Sequence, residues 1–343
     1  MESILKCNAN QIRQNVIRCI KAGLVPFIQS SPGIGKSSIV KQIAKENNLE
    51  LIDHRLSTSS PEDLLGLPHF VEDHAVFSPF RDVFPLSDSP LPRRKNGWLL
   101  FFDEFNSAPR SVQAACYKII LDREVGQHKL HPNCVIVCAG NLLDDNAITV
   151  NLSTAMQSRL VHLVMECDFN TWFTNVALKE NYDERVSAYL NMYPNHLMQF
   201  DPNHTEMTFA CPRTWEFVNR LVKNESELDE TMVPLLSGTI SSEIALSFVN
   251  FCKIRNELIT VNQVIANPDT APIPEKNEAM WSTVFHLLNH VDKKNFKFIA
   301  KYIHRYSVDY QIIFYRAIKV QHPELCSEPE FIDAMINLAS YFE

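Results

Sequence analysis

The chain has 343 residues, of which 45% are hydrophobic and 21% charged, and these values, close to globular averages, exclude long disorder as its main state. Its 32 basic and 40 acidic residues give a formal net charge of −8, which argues against a chain that coats nucleic acid by bulk charge but leaves room for a local basic patch. No stretch approaches the ~20 apolar residues of a membrane span, and residues 1–10 contain no apolar signal-peptide core. Together with nine cysteines, these features predict a cytoplasmic protein with reduced thiols.

The first half of the chain alternates short apolar runs with amphipathic helices. A helix over about residues 12–20 leads to buried strands predicted at 25–29, 49–56, 98–102, 134–139 and 161–165, with helices at 36–47 and 111–121 between them. Pro26, near the start of the first run, indicates an edge strand or a strand beginning. The alternation predicts an α/β fold with a parallel sheet of about five strands.

After residue 167 the patterns become helical, and no run reads as a fully buried strand. Three prolines between 266 and 275 mark a loop, and the helical stripes after residue 281 are interpreted as core or subunit-packing faces. We therefore expect an α/β core over residues 1–167, a helical lid over 168–255 and a C-terminal helical extension over 256–343.

The clearest motif joins the first predicted strand to the helix that follows it. Its residues are Ser31, Pro32, Gly33, Ile34, Gly35, Lys36, Ser37 and Ser38. The glycines let the backbone wrap closely around a phosphate group, and the helix presents its positive dipole end to that anion. Lys36 is predicted to reach the β- and γ-phosphates of ATP, and the Ser37 hydroxyl to ligate Mg²⁺. The alternative is an ordinary strand–turn–helix with a chance Gly-Lys-Ser.

One position departs from the usual pattern of such a loop. Ser30 stands where the first glycine is expected. Because serine is small and the later glycines make the closest approach, we expect it to weaken phosphate binding at most.

Two acids follow the apolar run at 98–102. Asp103 is predicted to lie beside the phosphate loop of the neighbouring strand and to hold Mg²⁺ through water, and Glu104 to polarise an attacking water molecule. Alternatively, these acids merely mark the exit of the strand into solvent.

These two motifs, in this order, resemble those of the AAA+ ATPases. Asn141 resembles the sensor asparagine of that superfamily, which positions the attacking water. The segment 154–163 resembles the one that carries the arginine finger, with Arg159 at the finger position, and Cys211-Pro212-Arg213-Thr214-Trp215 resembles the second sensor motif of the helical lid, with Arg213 as sensor. The resemblance covers roughly residues 10–275.

Further segments are similar to the MoxR-like branch, in particular to a bacterial and phage subgroup. Residues 55–68 match the stretch before an insertion in helix 2, and 124–130 resemble the hairpin before the sensor strand. The lid stretch 236–240 and the loop 267–269 resemble the subgroup. The resemblance implies ATP hydrolysis between the subunits of a hexameric ring. It further implies remodelling of a protein client, with a von Willebrand factor A-domain protein as the expected partner.

Several alternatives remain open on the sequence. Arg159 could be a surface cation at a helix end, and Arg213 could form a salt bridge to a nearby acid such as Glu216 instead of binding phosphate. The chain could be a nucleic-acid motor, in which case basic residues at 128–129 or 93–95 would line a pore. It could also be a nucleotide-gated scaffold with little turnover, although the presence of Glu104 and Asn141 argues against that.

Overall fold

The computed structural model describes residues 5–145, 149–253 and 258–341. The chain divides into two compact units. The first comprises Met1–Cys167 with Asp201–His204, and the second comprises Asp168–Phe200 with Thr205–Glu343.

A parallel β-sheet forms the centre of the first unit. The strands of the described residues are β1 (Lys6–Cys7), β2 (Val25–Ser30), β3 (Leu49–Arg55), β4 (Leu67–Val71), β5 (His74–Ser78), β6 (Gly97–Asp103), β7 (Glu124–Val125), β8 (His128–Lys129), β9 (Cys134–Asn141) and β10 (Leu160–Met165). Six of them pair in the order β1-β10-β2-β9-β6-β3, and every pairing in that sheet is parallel. The predicted α/β fold with a parallel sheet is therefore confirmed.

One detail of the predicted sheet is wrong. The sheet has six strands rather than five, because the two-residue strand β1 pairs with β10 at its edge. Pro26 does not mark an edge strand, since β2 lies between β10 and β9. The other interpretation of Pro26, a strand beginning, is confirmed, because it is the second residue of β2. Pairing with β9 starts only at Phe27, so the missing N–H of the proline removes no hydrogen bond to β9.

Helices cover both faces of this sheet. The helices of the first unit are α1 (Ala9–Lys21), α2 (Lys36–Glu46), α3 (Pro61–Leu65), α4 (Arg110–Asp122) and α5 (Thr154–Gln157). One apolar cluster joins α4 to alternate strand residues, among them Leu100, Phe102, Ile136 and Cys138. The intervening residues Leu99, Phe101 and Val137 are equally buried and point to the opposite face, where α1 and α2 pack on the strands and on each other. Burial on both faces explains why β6 reads as a continuous apolar run.

Two antiparallel hairpins leave this sheet. One is formed by β4 and β5, directly after the stretch predicted to precede an insertion, and the other by β7 and β8, where the sequence predicted a hairpin. They contact each other, since His128 Nε2 lies 3.2 Å from the backbone oxygen of Phe77.

The described part of the second unit is helical. Its helices are α6 (Phe169–Trp172), α7 (Glu184–Met192), α8 (Pro212–Val222), α9 (Val233–Ile240), α10 (Ser242–Lys253), α11 (Val261–Ala266), α12 (Asn277–Asn289), α13 (Phe296–Ile303), α14 (Val308–Gln321) and α15 (Pro329–Asn337), and a π-helical turn at Phe173–Ala177 follows α6. Extended pairing among these residues is limited to an isolated bridge between Gln199 and Ala210. Across the described ranges, no helix is both long and apolar enough to cross a membrane.

The second unit contains residues from both the predicted lid and the predicted extension. Helix α7 packs against α12, and Asn289 Nδ2 donates a 2.9 Å hydrogen bond to Glu184 Oε2. The predicted boundary at residues 255 and 256 lies outside the described residues, so the division into lid and extension stays a prediction.

Candidate active site

The predicted site residues of the first unit converge where β2, β9 and β6 end. Ser30, the last residue of β2, is registered with Asn141, the last residue of β9, and β6 ends at Asp103. Because the carboxyl ends of parallel strands meet at one edge of a sheet, the topology brings these three residues to the same rim.

The loop between β2 and α2 has the backbone that an anion site requires. Gly33 and Gly35 have φ values of 80° and 101°, in the left-handed region that favours glycine. Gly35 caps α2 without a side-chain hydrogen bond, and the first turn of α2 contains no acidic residue. Gly35 therefore offers no side-chain acceptor to the first N–H groups of α2. No acidic side chain in that turn offsets the positive end of the helix dipole.

Lys36 is folded back over this loop. Its Nζ donates to Ser30 Oγ at 2.9 Å, to the backbone oxygen of Ser30 at 3.0 Å, to that of Ser31 at 3.5 Å and to Asn141 Oδ1 at 3.2 Å. These acceptors are neutral oxygens, and they orient the ammonium group toward the loop. The arrangement places one cation between the loop and the end of β9.

Ser37 and Asp103 are joined directly. The Ser37 hydroxyl donates a 2.8 Å hydrogen bond to Asp103 Oδ2, while Asp103 Oδ1 accepts from the backbone N–H of Glu104 at 2.8 Å. The prediction that Asp103 follows a strand next to the loop strand is wrong in detail, because β9 separates β6 from β2. Ser37 nonetheless reaches Asp103, since it lies in the first turn of the helix after the loop.

Glu104 adopts a conformation that is unusual for its residue type. Its φ of 55° and ψ of 35° lie in the left-handed helical region, which costs a non-glycine residue roughly 1–2 kcal/mol. Its carboxylate accepts a hydrogen bond from the Ser57 hydroxyl and lies 3.8 Å from Arg55 Nε. Backbone strain of this kind is concentrated at functional sites. Neither Ser57 nor Arg55 carried a sequence signal for this contact, because the pairing depends on how β3 and β6 are aligned.

Asp145 is a second residue that the sequence did not indicate. It belongs to a short 3₁₀ turn at Leu143–Asp145, and its Oδ1 accepts a hydrogen bond from Ser31 Oγ at 3.3 Å. Burial raises the pKa of Asp145 above the ordinary aspartate value, against the opposing effects of the Ser31 hydrogen bond and of Lys36. Its Oδ2 is buried without a hydrogen-bond partner in the described structure. The loop thus has an incompletely satisfied carboxyl group beside it.

Asn106 is a third such residue. Its Oδ1 accepts a hydrogen bond from the backbone N–H of Asn141 at 3.1 Å, and its Nδ2 donates one to the backbone oxygen of Asn141 at 2.7 Å. A lone asparagine three residues after Asp103 gave no spacing signal, since the contact joins the turn after β6 to the end of β9, 35 residues further along the chain.

The remaining predicted residues of the loop differ in exposure. Pro32 is half-buried, Ile34 is buried and Ser38 is exposed on the first turn of α2. Ile34 therefore anchors the loop to the core, and a role of Ser38 in binding stays a prediction.

Arg159 is exposed just after α5. Its Nη1 donates to the backbone oxygen of Ala155 at 2.6 Å and lies 3.3 Å from Ser158 Oγ, and its guanidinium group lies 5.1 Å from the centre of the Tyr117 ring. An exposed arginine held in this way agrees with both interpretations of the sequence, a finger and a surface cation.

Arg213 is exposed in the first turn of α8, in the second unit. Glu216, the acid named as an example of an alternative partner, forms its ion pair with Arg220, one helical turn further along the same helix. A sensor role of Arg213 toward the phosphate loop stays a prediction.

The donor set at the rim fits Mg²⁺ better than a protein-bound transition metal. Within the described residues, no group of three or more His, Cys, Asp or Glu side chains is placed to hold a metal ion. Mg²⁺ is usually held through one or two protein oxygens, with waters and substrate phosphates as its other ligands. Ser37 Oγ and Asp103 Oδ2, 2.8 Å apart, supply two such oxygens beside the loop.

No protein-family model matches the sequence. Among solved structures, the chain is similar to a candidate ATPase from Cytophaga hutchinsonii ATCC 33406, with 14% identity over 89% of this chain and 79% of that chain and a TM-score of 0.36. It is also similar to two mutants of RuvB from Thermotoga maritima. The first is 13% identical over 86% of this chain and 98% of that chain, with a TM-score of 0.41. The second is 15% identical over 95% of this chain and 86% of that chain, with a TM-score of 0.39. Similarities this distant do not show to which family the chain belongs.

Proposed function

We propose that the chain is an ATPase of the AAA+ class that binds Mg·ATP at the rim of its sheet and hydrolyses it. The observation that carries the proposal is the hydrogen bond between Ser37 and Asp103, which joins the helix after the glycine loop to the acid that ends β6. A chance Gly-Lys-Ser turn would have no reason to meet the acid of a separate motif, two strands away in the sheet.

Each residue at the rim has a chemical task in this proposal. The uncapped start of α2 and Lys36 bind the β- and γ-phosphates, and Ser37 and Asp103 hold the Mg²⁺ that offsets their charge. Glu104 accepts a hydrogen bond from the attacking water and aligns it, and the Asn141 side chain helps to fix that water. When bound, Mg²⁺ supplies electrostatic stabilisation of the charge that develops on the phosphate oxygens.

Glu104 cannot act while its carboxylate is held by Ser57. A carboxylate that accepts a hydroxyl hydrogen bond and lies close to Arg55 is oriented toward those partners and away from an attacking water. We propose that this contact keeps basal turnover low and is exchanged for the water during catalysis.

The resemblance of the sequence motifs to the MoxR-like branch extends the proposal to an assembly. Arg159 is exposed, as a finger that serves the site of a neighbouring subunit must be. We therefore propose a ring in which Arg159 completes the adjacent site, and in which hydrolysis remodels a protein client. A protein with a von Willebrand factor A domain is the proposed partner on the basis of that resemblance alone.

The charges near the β7–β8 hairpin do not favour a nucleic-acid motor. Lys129 Nζ lies 2.7 Å from Glu124 Oε1, and Lys118 Nζ lies 3.0 Å from Glu124 Oε2. A lysine that is already paired in this way is a poor ligand for phosphate groups of a nucleic acid.

The proposal is tested by measuring Mg·ATP binding calorimetrically for Lys36→Ala and for a control, Lys41→Ala. Lys41 lies on the same helix, is exposed and forms a 3.8 Å ion pair with Asp53. We expect Lys36→Ala to weaken binding at least tenfold, about 1.4 kcal/mol, because it removes the cation beside the loop, and Lys41→Ala to bind as the wild type does. Equal binding by the two variants would contradict the assignment of the loop.

A further inference from the structure

The strand that carries Asn141 extends beyond its neighbour. The last registered pair between β6 and β9 is Phe102 with Cys138, after which β6 ends at Asp103 and the chain enters a 3₁₀ turn at Phe105–Ser107. Strand β9 continues to Asn141. The end of β9 therefore needs other partners on the side that β6 has left, because unpaired buried backbone groups are costly.

Asn106 supplies those partners with its side chain. Its Nδ2 donates to the backbone oxygen of Asn141 at 2.7 Å, and its Oδ1 accepts from the backbone N–H of Asn141 at 3.1 Å. A carboxamide has the same donor and acceptor as a peptide group. Asn106, which is only 2% exposed, thus gives the end of β9 the hydrogen bonds that a further residue of β6 would have made.

The surroundings of Asn106 are adapted to this contact. A Cβ atom at Gly140 would lie 2.1 Å from Asn106 Oδ1, so only glycine permits the approach at that position. The backbone oxygen of Asn106 accepts from the N–H of Val150 at 2.7 Å, which fixes the turn from the other side.

We propose that Asn106 is a positioning residue for catalysis: it fixes the main chain of Asn141 so that the Asn141 side chain faces the phosphate loop. The consequence is visible in the distance of 3.2 Å between Asn141 Oδ1 and Lys36 Nζ. Asn106 itself touches neither Lys36 nor Ser37 in the contacts described above, so it acts through Asn141. The expected loss of turnover rests on the proposed ATPase function. The positioning of Asn141 by Asn106 does not.

The first test compares Asn106→Ala and Asn106→Asp with the wild type. Asn106→Ala removes both hydrogen bonds, and Asn106→Asp keeps the shape of the side chain but places an oxygen against the Asn141 carbonyl, which it repels. For both we expect kcat to fall at least tenfold while the Kd for Mg·ATP changes less than about threefold. The near-isosteric Asn106→Asp keeps the test available if the alanine variant folds poorly. A parallel loss of binding and turnover would point to a merely structural role and contradict the proposal.

The second test is a double-mutant cycle with Asn141→Ala. If Asn106 acts through Asn141, the double variant Asn106→Ala/Asn141→Ala should be no slower than the slower single variant, because the group that Asn106 positions is already absent. Multiplicative losses in kcat would mean that the two residues act independently, and would overturn the proposal.

Asn295 provides a matched control in the second unit. Its Nδ2 donates to the backbone oxygen of His290 at 2.8 Å, and its Oδ1 accepts from the N–H of Asp292 at 2.8 Å, so it too joins backbone groups through one carboxamide. We expect Asn295→Ala to lower the melting temperature as Asn106→Ala does and to leave kcat unchanged. A similar fall in kcat would show that lost stability alone explains the effect.

A crystal structure of Asn106→Ala separates this inference from the proposed function. We expect the end of β9 to shift and the contact between Asn141 and Lys36 to be lost. An unchanged contact at about the length of a normal hydrogen bond would overturn the positioning role, whatever the turnover. Absence of ATP turnover in the wild type, together with a displaced Asn141 in the variant, would contradict the proposed function and leave the positioning role supported.

Discussion

The Ser37 hydroxyl donates a 2.8 Å hydrogen bond to Asp103 Oδ2, although the strand β9 lies between the strands that precede these two residues. The contact brings the first turn of α2 and the end of β6 together at the rim of the sheet. Under the proposed function, Ser37 would ligate Mg²⁺ directly and Asp103 would hold it through water.

Ser30 should be tolerated in place of the usual glycine. Its backbone is part of β2 and does not have a positive φ, so the position does not require glycine, and its hydroxyl contacts Lys36 Nζ at 2.9 Å. We expect Ser30→Gly and the matched Ser30→Ala to change the Kd for Mg·ATP by less than about tenfold, ~1.4 kcal/mol, in a calorimetric titration. A larger gain in affinity for both variants would show that the hydroxyl is a handicap, and the scaffold interpretation would gain support.

Ser57→Ala should raise basal turnover. The variant removes the hydroxyl that donates to the Glu104 carboxylate, and releasing a hydrogen bond to a charged group is worth about 1.5 kcal/mol or more, so we expect roughly a tenfold increase in steady-state kcat. Thr58→Ala is the control, because Thr58 is exposed and its hydroxyl bonds the backbone oxygen of Arg55 instead. A decrease with Ser57→Ala would mean that Ser57 supports the productive orientation of Glu104.

Asp145→Asn should increase stability in a pH-dependent way. Burial raises the folded-state pKa of Asp145, so its ionisation opposes folding: the cost is absent below the ordinary aspartate pKa of about 3.9 and grows as the pH rises through the raised value. The variant should therefore match the wild type in urea unfolding at low pH and exceed it at neutral pH. A difference that is constant with pH would contradict the raised pKa.

The same variant should also bind Mg·ATP more tightly, since it removes a negative charge next to Ser31. The control is Asp144→Asn, which removes the same charge from the exposed neighbouring residue and should have a smaller effect. Equal gains from both variants would show that the net charge matters and the contact with Ser31 does not.

Arg159 should act on the site of a neighbouring subunit. Arg159→Ala should lower turnover by about 10³-fold or more, the range known for arginine fingers, and leave nucleotide binding largely intact. Arg18→Ala, which removes another exposed arginine of the first unit, is the control and should keep full turnover.

The sharper measurement mixes two inactive variants. Lys36→Ala subunits still offer Arg159, and Arg159→Ala subunits have intact loops, so some interfaces of a mixed assembly should regain activity. The ratio should be varied, because a ring that needs several working sites at once would show only part of the recovery. No recovery at any ratio, with mixed assembly shown independently, would count against action across the interface.

The sequence predicted the parts of this structure that depend on local pattern. The strands β2, β6, β9 and β10 and the helices α2 and α4 were found within a few residues, because buried parallel strands are largely apolar runs and the helices have an apolar stripe. Strand β3 was also found, although at the edge of the sheet it is only partly buried. Strand β1 was missed because two residues cannot show a period. The order of the strands, and with it the position of β9 between β2 and β6, depends on tertiary packing alone.

The candidate site was predicted only in part for a related reason. Motif spacing found Lys36, Ser37 and the two acids at 103 and 104. Asn106 and Asp145 lie in no motif, and Ser57 lies in the segment 55–68, whose resemblance gave it no role at the site. Each of the three meets the site through a contact across a long sequence separation. Such contacts appear only when the chain is folded.

The central claim, that this rim hydrolyses ATP, is tested most directly by comparing Glu104→Gln with the wild type in Mg²⁺-dependent phosphate release and in Mg·ATP binding. The amide keeps the size of the side chain and its contact with Ser57 but cannot polarise water. We expect binding within about threefold of the wild type and turnover at least a hundredfold lower, since general-base groups contribute typically 10²–10⁴ in rate. Unchanged phosphate release by purified Glu104→Gln would contradict the account.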